Sequence, residues 1–385
     1  MITHLFKLIW NKKKQNFLLI LEMFISFLVM FAVFSLIVYY YNNYRKAVGF
    51  EYDHVWAVSY KLIDANADSA VIQHDQVKRV VRSIPGIEDV TYAGSNLPFS
   101  FNTNNGTIEL GNRSAMTHFY QVEDNYLNVL QVKLAEGRFF SKADDAAKDK
   151  PIVINRQLKE DLFGKENALG KRIGNEQIIG IIDNLKDKGD FEGHAGGLYR
   201  RIDTGSAKYI STMLVRVKPD ATADTENSLY KALSQSLRAS NVEIEHLIAK
   251  RTRKNNITLV PMIVLLIVAG FLIINVALGL FGVLWYNINM RRSEIGLRRA
   301  IGATGNSISR QLIGESLLLS TLAILLGCFF AVQFPLLDVF DLPAGVYISA
   351  ILLSVLFIYL LVIVCALYPG KQAAAIYPAV ALHEE

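Results

Sequence analysis

Four stretches of this chain are almost free of charge, at residues 17–41, 257–286, 312–334 and 347–368. Each exceeds the roughly 20 residues a helix needs to cross about 30 Å of hydrocarbon. The overall composition, 52% hydrophobic and 19% charged, matters because it is segregated in this way. Between the first two stretches lies a long segment of mixed polarity, rich in Gly, Asn, Asp and Lys, with ample length for a folded module of two lobes. The expected class is an α+β membrane protein: four transmembrane helices, with a two-lobed α+β extracytoplasmic domain between helices 1 and 2.

The first stretch is too long for the apolar region of a signal peptide. It is followed by Tyr39-Tyr40-Tyr41 rather than by a small-residue cleavage site, and reads as a retained anchor. Basic residues set the orientation. Lys7, Lys12, Lys13 and Lys14 precede the first helix, and Arg291, Arg292, Arg298, Arg299 and Arg310 separate the second from the third. The turn between the third and fourth carries Asp338 and Asp341 and no Lys or Arg. Both termini are therefore expected in the cytoplasm and the large domain outside. One cluster dissents: Lys250, Arg251, Arg253 and Lys254 fall on the outer side in this topology.

These signals divide the chain as follows: a cytoplasmic segment 1–16, helix 1 and a stalk 17–50, and an outer domain 51–247. A stalk with helix 2 (248–286), a cytoplasmic loop 287–311 and helix 3 (312–334) come next. A short outer loop 335–346, helix 4 (347–368) and a cytoplasmic tail 369–385 complete it. Within the outer domain, Val55–Tyr60 alternates like a strand. Val77, Val80, Val81 and Ile84 keep helical spacing up to a Pro85-Gly86 stop, and Ile87–Tyr92 reads as a strand. The order recurs in Met213–Val217, the helix with Leu229, Leu233 and Leu237, and Val242–Leu247. The two β-α-β units are expected to form a membrane-proximal lobe, 51–100 and 206–247, with a distal lobe 101–205 inserted. Gly189–Gly197 reads as a mobile loop.

The net charge of +5 is accounted for largely by the membrane flanks, so no nucleic-acid partner is expected. Cys328 and Cys365 both fall in apolar stretches, which excludes a disulfide-stapled outer domain. The outer histidines His54, His74, His118, His194 and His246 lack ligand spacing, so no metal is expected. The segment Gly164–Lys171 misses the phosphate-loop pattern in its glycine spacing and has Arg172 where Ser or Thr is needed. No catalytic residue and no directly bound cofactor is expected. Glu22, inside the first helix, reads as a packing residue near the cytoplasmic face, and Asn275 as an interhelical hydrogen-bonding group. Pro261 is expected to leave a carbonyl unpaired, with a possible kink in the second helix.

The densest information lies just after the second span. Ser293 suits a helix N-cap and Glu294 a first turn. Ile295, Leu297 and Ile301 offer apolar contacts, and Arg298 and Arg299 a basic patch. Gly302 can stop the helix and Gly305 permits a turn. A short cytoplasmic helix of this kind can dock into a soluble partner. The bland alternative is a basic turn that obeys the positive-inside rule and does nothing more.

The run Glu294-Ile295-Gly296-Leu297-Arg298-Arg299-Ala300-Ile301-Gly302-Ala303-Thr304 resembles the signature of the FtsX-like, MacB-like family of ABC transporter permeases. Ile84–Ile87, Glu136–Phe140, Pro151–Asn155, Ala168–Lys171 and the proline-containing tail Tyr377–Leu382 are similar to that family elsewhere along the chain. The resemblance implies a permease of the bacterial inner membrane that is not itself catalytic. Residues 293–304 would couple it to a separate ABC ATPase that uses ATP and Mg. It further implies a dimer with a second permease copy or paralogue, membrane lipid as surroundings, and a periplasmic adaptor and outer-membrane channel as further partners. ATPase-driven motion would reach the outer domain for export or extraction of a peptide, lipid-linked or small amphipathic substrate. A non-transporting regulator that activates a cell-wall hydrolase is the alternative in the same architecture. A membrane-anchored sensor is a second, though it would not need the third and fourth helices.

Overall fold

The computed structural model describes residues 13–61, 66–94, 96–147, 149–237 and 241–375. Lys7 and Lys12 of the basic N-terminal flank, and the Tyr377–Leu382 tail motif, lie outside these residues. Two compact units emerge: Asn43–Thr258, and the apolar segments on either side of it.

The α+β unit holds two sheets. Its first lobe is built from β1 (Val55–Ser59), β2 (Ile87–Tyr92), β10 (Thr212–Val217) and β11 (Glu243–His246), antiparallel in the order β11-β1-β10-β2. This is the βαββαβ arrangement, with the second lobe inserted between β2 and β10. Two helices, Ala67–Arg82 and Ala223–Ser236, bury Val77, Val81, Leu229 and Leu233 against Trp56, Val58, Val90 and Val215. The first of them has Asp68 in its first turn and Arg79 and Arg82 in its last, both favourable to the helix dipole. Gly86, at φ +93°, then makes the turn into β2.

The inserted lobe contributes β3 (Asn105–Leu110), β4 (Arg113–Val122), β5 (Leu134–Gly137), β6 (Lys150–Asn155), β7 (Arg172–Ile173), β8 (Glu176–Ile182) and β9 (Gly196–Arg201). Their order is β3-β4-β9-β6-β8-β5, with β7 added to β8. Pairing is parallel between β4 and β9 and between β6 and β8, and antiparallel elsewhere. Asn155 caps the helix Arg156–Phe163 by accepting from the Leu158 N–H at 3.0 Å, and accepts from Gly197 N of β9 as well at 2.8 Å. A shared core of Val55, Ala57, Leu214, Tyr120, Tyr126 and Tyr199 joins the lobes.

The second unit is helical. Among the described residues four helices are long and apolar enough to cross a membrane: Phe17–Tyr44, Leu247–Met290, Gly305–Leu336 and Ala344–Ala374. Met23, Phe27, Val276, Leu280, Ala323, Ile324, Ile358 and Val362 form their common core. Gly327 admits the Phe27 ring so closely that an added Cβ would stand 2.2 Å from it. Glu22 lies against Gly279, where an added Cβ would come within 2.8 Å of its carboxylate.

The second of these helices runs from Leu247, immediately after β11, to Met290, with Pro261 inside it. One expectation is corrected here. Asn275 donates to Phe271 O of its own helix at 2.8 Å, the preceding-turn bond open to any polar residue in a helix, rather than across helices. Of Gly189–Gly197, residues 189–195 form a loop in which Asp190 is buried, and Gly196 and Gly197 open β9.

Candidate functional site

The segment 291–305 holds a nine-residue helix, Arg292–Ala300. The preceding helix runs to Met290 and only Arg291 separates the two, so Ser293 lies inside the new helix rather than capping it. Arg291 occupies the cap position without a side-chain cap bond. At the other end the Gly302 N–H donates to Arg299 O at 3.2 Å and the Ala303 N–H to Arg298 O at 2.9 Å, the paired bonds of a Schellman stop. Gly302, at φ +101°, supplies the left-handed residue that stop requires. Thr304 caps the next helix, Gly305–Ala331, its hydroxyl accepting from Ser307 N at 3.3 Å. Gly302, Ala303 and Thr304 are therefore turn, not helix.

One face of the short helix is bound to its own unit. Ile295 is buried with Ile288, Ile308, Leu312 and Ala373, and Gly296 is buried beside it. Arg291 donates to both oxygens of Glu315 at 3.2 Å. Arg298 reaches Gln311 at 2.9 Å and Glu294 at 2.5 Å, and Arg299 donates to the Ala374 carbonyl. Arg298 and Arg299, the basic patch of the sequence, thus hold the helix in place. Gly305 lies close to Ala374, where an added Cβ would stand 3.0 Å from its carbonyl oxygen.

The opposite face is open. Ser293, Leu297, Ala300 and Ile301 follow i, i+4, i+7, i+8 spacing and are all exposed, Leu297 to 54% and Ile301 to 79%. Of the three apolar residues singled out in the sequence, Ile295 is thus used inside the unit and only Leu297 and Ile301 are available to a partner. Glu315 and Gln311 were missed. The signal was present, since Glu315 is the one acidic residue between 312 and 334, and a carboxylate in such a stretch demands a partner.

Among the described residues no group of three or more His, Cys, Asp or Glu could hold a metal ion. The buried histidines have other engagements. His74 stacks on Tyr92 at 4.0 Å and sits 2.9 Å from Ile210 O, and burial pushes its pKa down.

Comparison with known proteins matches residues 17–229 to the model of the MacB-like periplasmic core domain, and residues 266–378 to that of the FtsX-like permease C-terminal region. The macrolide export ATP-binding/permease protein MacB of Bdellovibrio bacteriovorus is 25% identical over 340 residues, which is 82% of this chain and 50% of that one. Its namesake in Wolinella succinogenes is 27% identical over 305 residues, 72% and 45% of the two chains. This chain thus spans about half the length of the curated relatives it matches. The crystal structure of the periplasmic region of MacB from Actinobacillus actinomycetemcomitans aligns with 53% of this chain and 93% of its own, at 19% identity and a TM-score of 0.38.

Proposed function

The chain belongs to the FtsX-like, MacB-like family of ABC transporter permeases, and from that premise we propose that it transmits the motion of a separate ATPase to its extracytoplasmic domain. The observation that carries the proposal is the division of labour on the Arg292–Ala300 helix. Its charged side chains and Ile295 fasten it to its own unit, while Leu297 and Ile301 are left at the surface. Two large apolar side chains held outward on a braced helix make a rigid knob for a groove on a soluble partner. ATP is bound and hydrolysed by that partner, and no catalytic group is assigned to this chain.

The helix Leu247–Met290 suits it to relay such motion. Its 44 residues measure about 66 Å, twice the hydrocarbon thickness. Closure of the ATPase pair shifts the docked helix only to the extent that the closed pair binds one permease conformation better than another. The pump is proposed to sit in the bacterial inner membrane with both termini cytoplasmic, and to act as a dimer. Its cargo would be a peptide, a lipid-linked molecule or a small amphipathic compound, the class to which the macrolides named for its relatives belong.

The test is affinity purification of the tagged chain from its native membrane. An ATPase subunit should co-purify with it and be lost in Leu297→Asp, while the chain stays folded. Recovery of the chain alone at every nucleotide state overturns the reading.

A further inference from the structure

The segment Leu185–Glu192, between β8 and β9, carries Lys186, Asp187, Lys188 and Asp190 around Gly189, a composition suited to an exposed loop. It is instead buried: these four residues are 2%, 4%, 6% and 5% exposed. Charges leave water only when partners replace it. Here the partners arrive from three directions.

From the end of the first helix, Asn43 O accepts from Lys186 Nζ at 2.8 Å and Asn43 Nδ2 donates to Phe191 O at 3.2 Å, and from the segment just after it Val48 O accepts from the Lys186 N–H at 2.9 Å. From the start of the Leu247–Met290 helix, Arg251 pairs with Asp190 at 2.8 Å. Asn255 holds the same residue twice, donating to its carboxylate at 2.7 Å and accepting its N–H at 2.9 Å. From the inserted lobe, Tyr120 donates to Asp187 at 2.8 Å and Lys188 to Asn102 O at 3.1 Å. The approach is tight enough that a Cβ on Gly49 would stand 2.1 Å from Asn184 O. Gly189, at φ +120°, takes a conformation that side chains rarely adopt.

We propose that this segment is a clasp through which both helices grip the inserted lobe, with Asp190, Arg251, Asn255 and Asn43 as the positioning residues that deliver their motion to it. The proposal rests on the permease reading above. Such a joint gives the helices a direct hold on the inserted lobe, in addition to the core it shares with the first lobe. The first lobe is continuous with the Leu247–Met290 helix through β11, whereas the inserted lobe enters and leaves through β2 and β10 and has no covalent link to either helix. The clasp is also well placed to move the sheet as a body. It is continuous with β8 and β9, which flank the central strand β6 on either side. A change in the separation of the two helix ends must therefore break buried charge pairs or carry the centre of the sheet with it.

The experiment uses the full chain with its co-purified ATPase in lipid nanodiscs, and hydrogen exchange of the outer strands with and without ATP plus vanadate. An Asp190→Cys/Asn255→Cys pair, in a Cys328→Ser/Cys365→Ser background, opens the clasp, and a short thiol-reactive bridge closes it again. In the parent protein the nucleotide should change exchange in β1 and β10 and in β8 and β9. Opening the clasp should reduce the change in β8 and β9 at least fivefold, leave that in β1 and β10, and leave ATPase recovery unaltered. Bridging should restore it. Retention of the full β8 and β9 response in the open variant overturns the clasp alone. Absence of any response in the parent overturns the permease reading and the clasp with it. If the Cys pair loses exchange protection before nucleotide is added, Asp190→Asn provides the same comparison with side-chain shape kept. Its β8 and β9 response should fall at least twofold, and an unchanged response again overturns the clasp.

Discussion

Two basic clusters bracket the same long helix, and they do opposite things. Lys250, Arg251, Arg253 and Lys254 stand in its first turns, and Arg291, Arg298 and Arg299 lie just past its end. In the first cluster the partners are carboxylates: Glu245 takes Lys250 and Arg253, Asp190 takes Arg251 at 2.8 Å, and Glu192 takes Lys254 at 3.5 Å. Two of these partners come from the inserted lobe, about 60 residues away in sequence. In the second cluster the partners are more varied: Glu315, Gln311, Glu294 and the backbone carbonyl of Ala374. The first cluster is drawn into a folded domain and closes it. The second fixes a short helix and leaves Leu297 and Ile301 outside. A count of positive charges makes the two alike, and only the partners separate them.

The largest expected effect breaks the first cluster. Asp190→Ala removes a buried carboxylate and leaves Arg251 and Asn255 facing each other without it. Such a deletion costs about 3–5 kcal/mol, which thermal unfolding of the purified chain would report as a marked fall in Tm. Arg298→Ala in the second cluster removes a half-exposed pair with Glu294 and should cost under about 1 kcal/mol. Equal losses from the two variants would erase the distinction.

Next in size is an effect on binding. Leu297→Ala and Ile301→Ala should each weaken association with the ATPase by about 1–3 kcal/mol, or roughly 5- to 150-fold in Kd, with Tm unchanged. Ile295→Ala should show the reverse order, because its side chain is buried within its own unit. It should lose stability by about 2–4 kcal/mol and affect the partner only indirectly.

A pH titration sharpens the comparison further, since the α+β unit contains groups whose ionisation opposes its fold. Burial lowers the pKa of His74, His118 and His194 from an ordinary value near 6.5. The unfolded chain then binds more protons than the folded one, so stability should fall as pH drops through about 6.5. A second loss follows at lower pH. The Arg138 hydrogen bond holds Asp144 below its usual carboxylate range, and Ser206 does the same for Asp203. His74→Gln should remove part of the first loss and none of the second. An outer unit equally stable at pH 7.5 and 5.5 would contradict this account.

What could be read from the sequence follows a physical rule. Long charge-free stretches reveal membrane helices because lipid acts on every residue of the span alike. The strands of the first lobe show through local alternation, and Pro85-Gly86 marks a stop that depends on nothing distant. Ser293 misled because capping depends on where the previous helix ends, and that helix runs on to Met290. Lys186–Asp190 carries no local signal of its burial at all. Four charges around a glycine describe a surface loop until Asn43, Tyr120, Arg251 and Asn255 are brought to them, and no local pattern encodes a pairing across 61 residues. The four-residue face left open at 293, 297, 300 and 301 was half legible. Periodicity marks the apolar positions, but which of them the unit keeps for itself depends on Ile308, Leu312 and Ala373.

The smallest expected effect concerns the joint between the second cluster and its turn. Gly302 has nothing within 4 Å of where a Cβ would stand, so Gly302→Ala introduces no clash. It does force a side chain into φ +101°, which glycine alone adopts at low cost. The expected loss is about 1 kcal/mol, small enough to leave the fold intact. Its consequence should be directional, because the Schellman bonds of Gly302 and Ala303 end the helix and set the path along which Ile301 leaves it. If Ile301 is part of the knob, Gly302→Ala should weaken ATPase recovery while Tm falls by only a few degrees. Gly111, also at positive φ with open space around it, is the control in the α+β unit. Gly111→Ala carries the same kind of backbone strain and should leave ATPase recovery untouched, so equal losses of ATPase from the two variants would mean that strain anywhere, and not the aim of Ile301, weakens the docking.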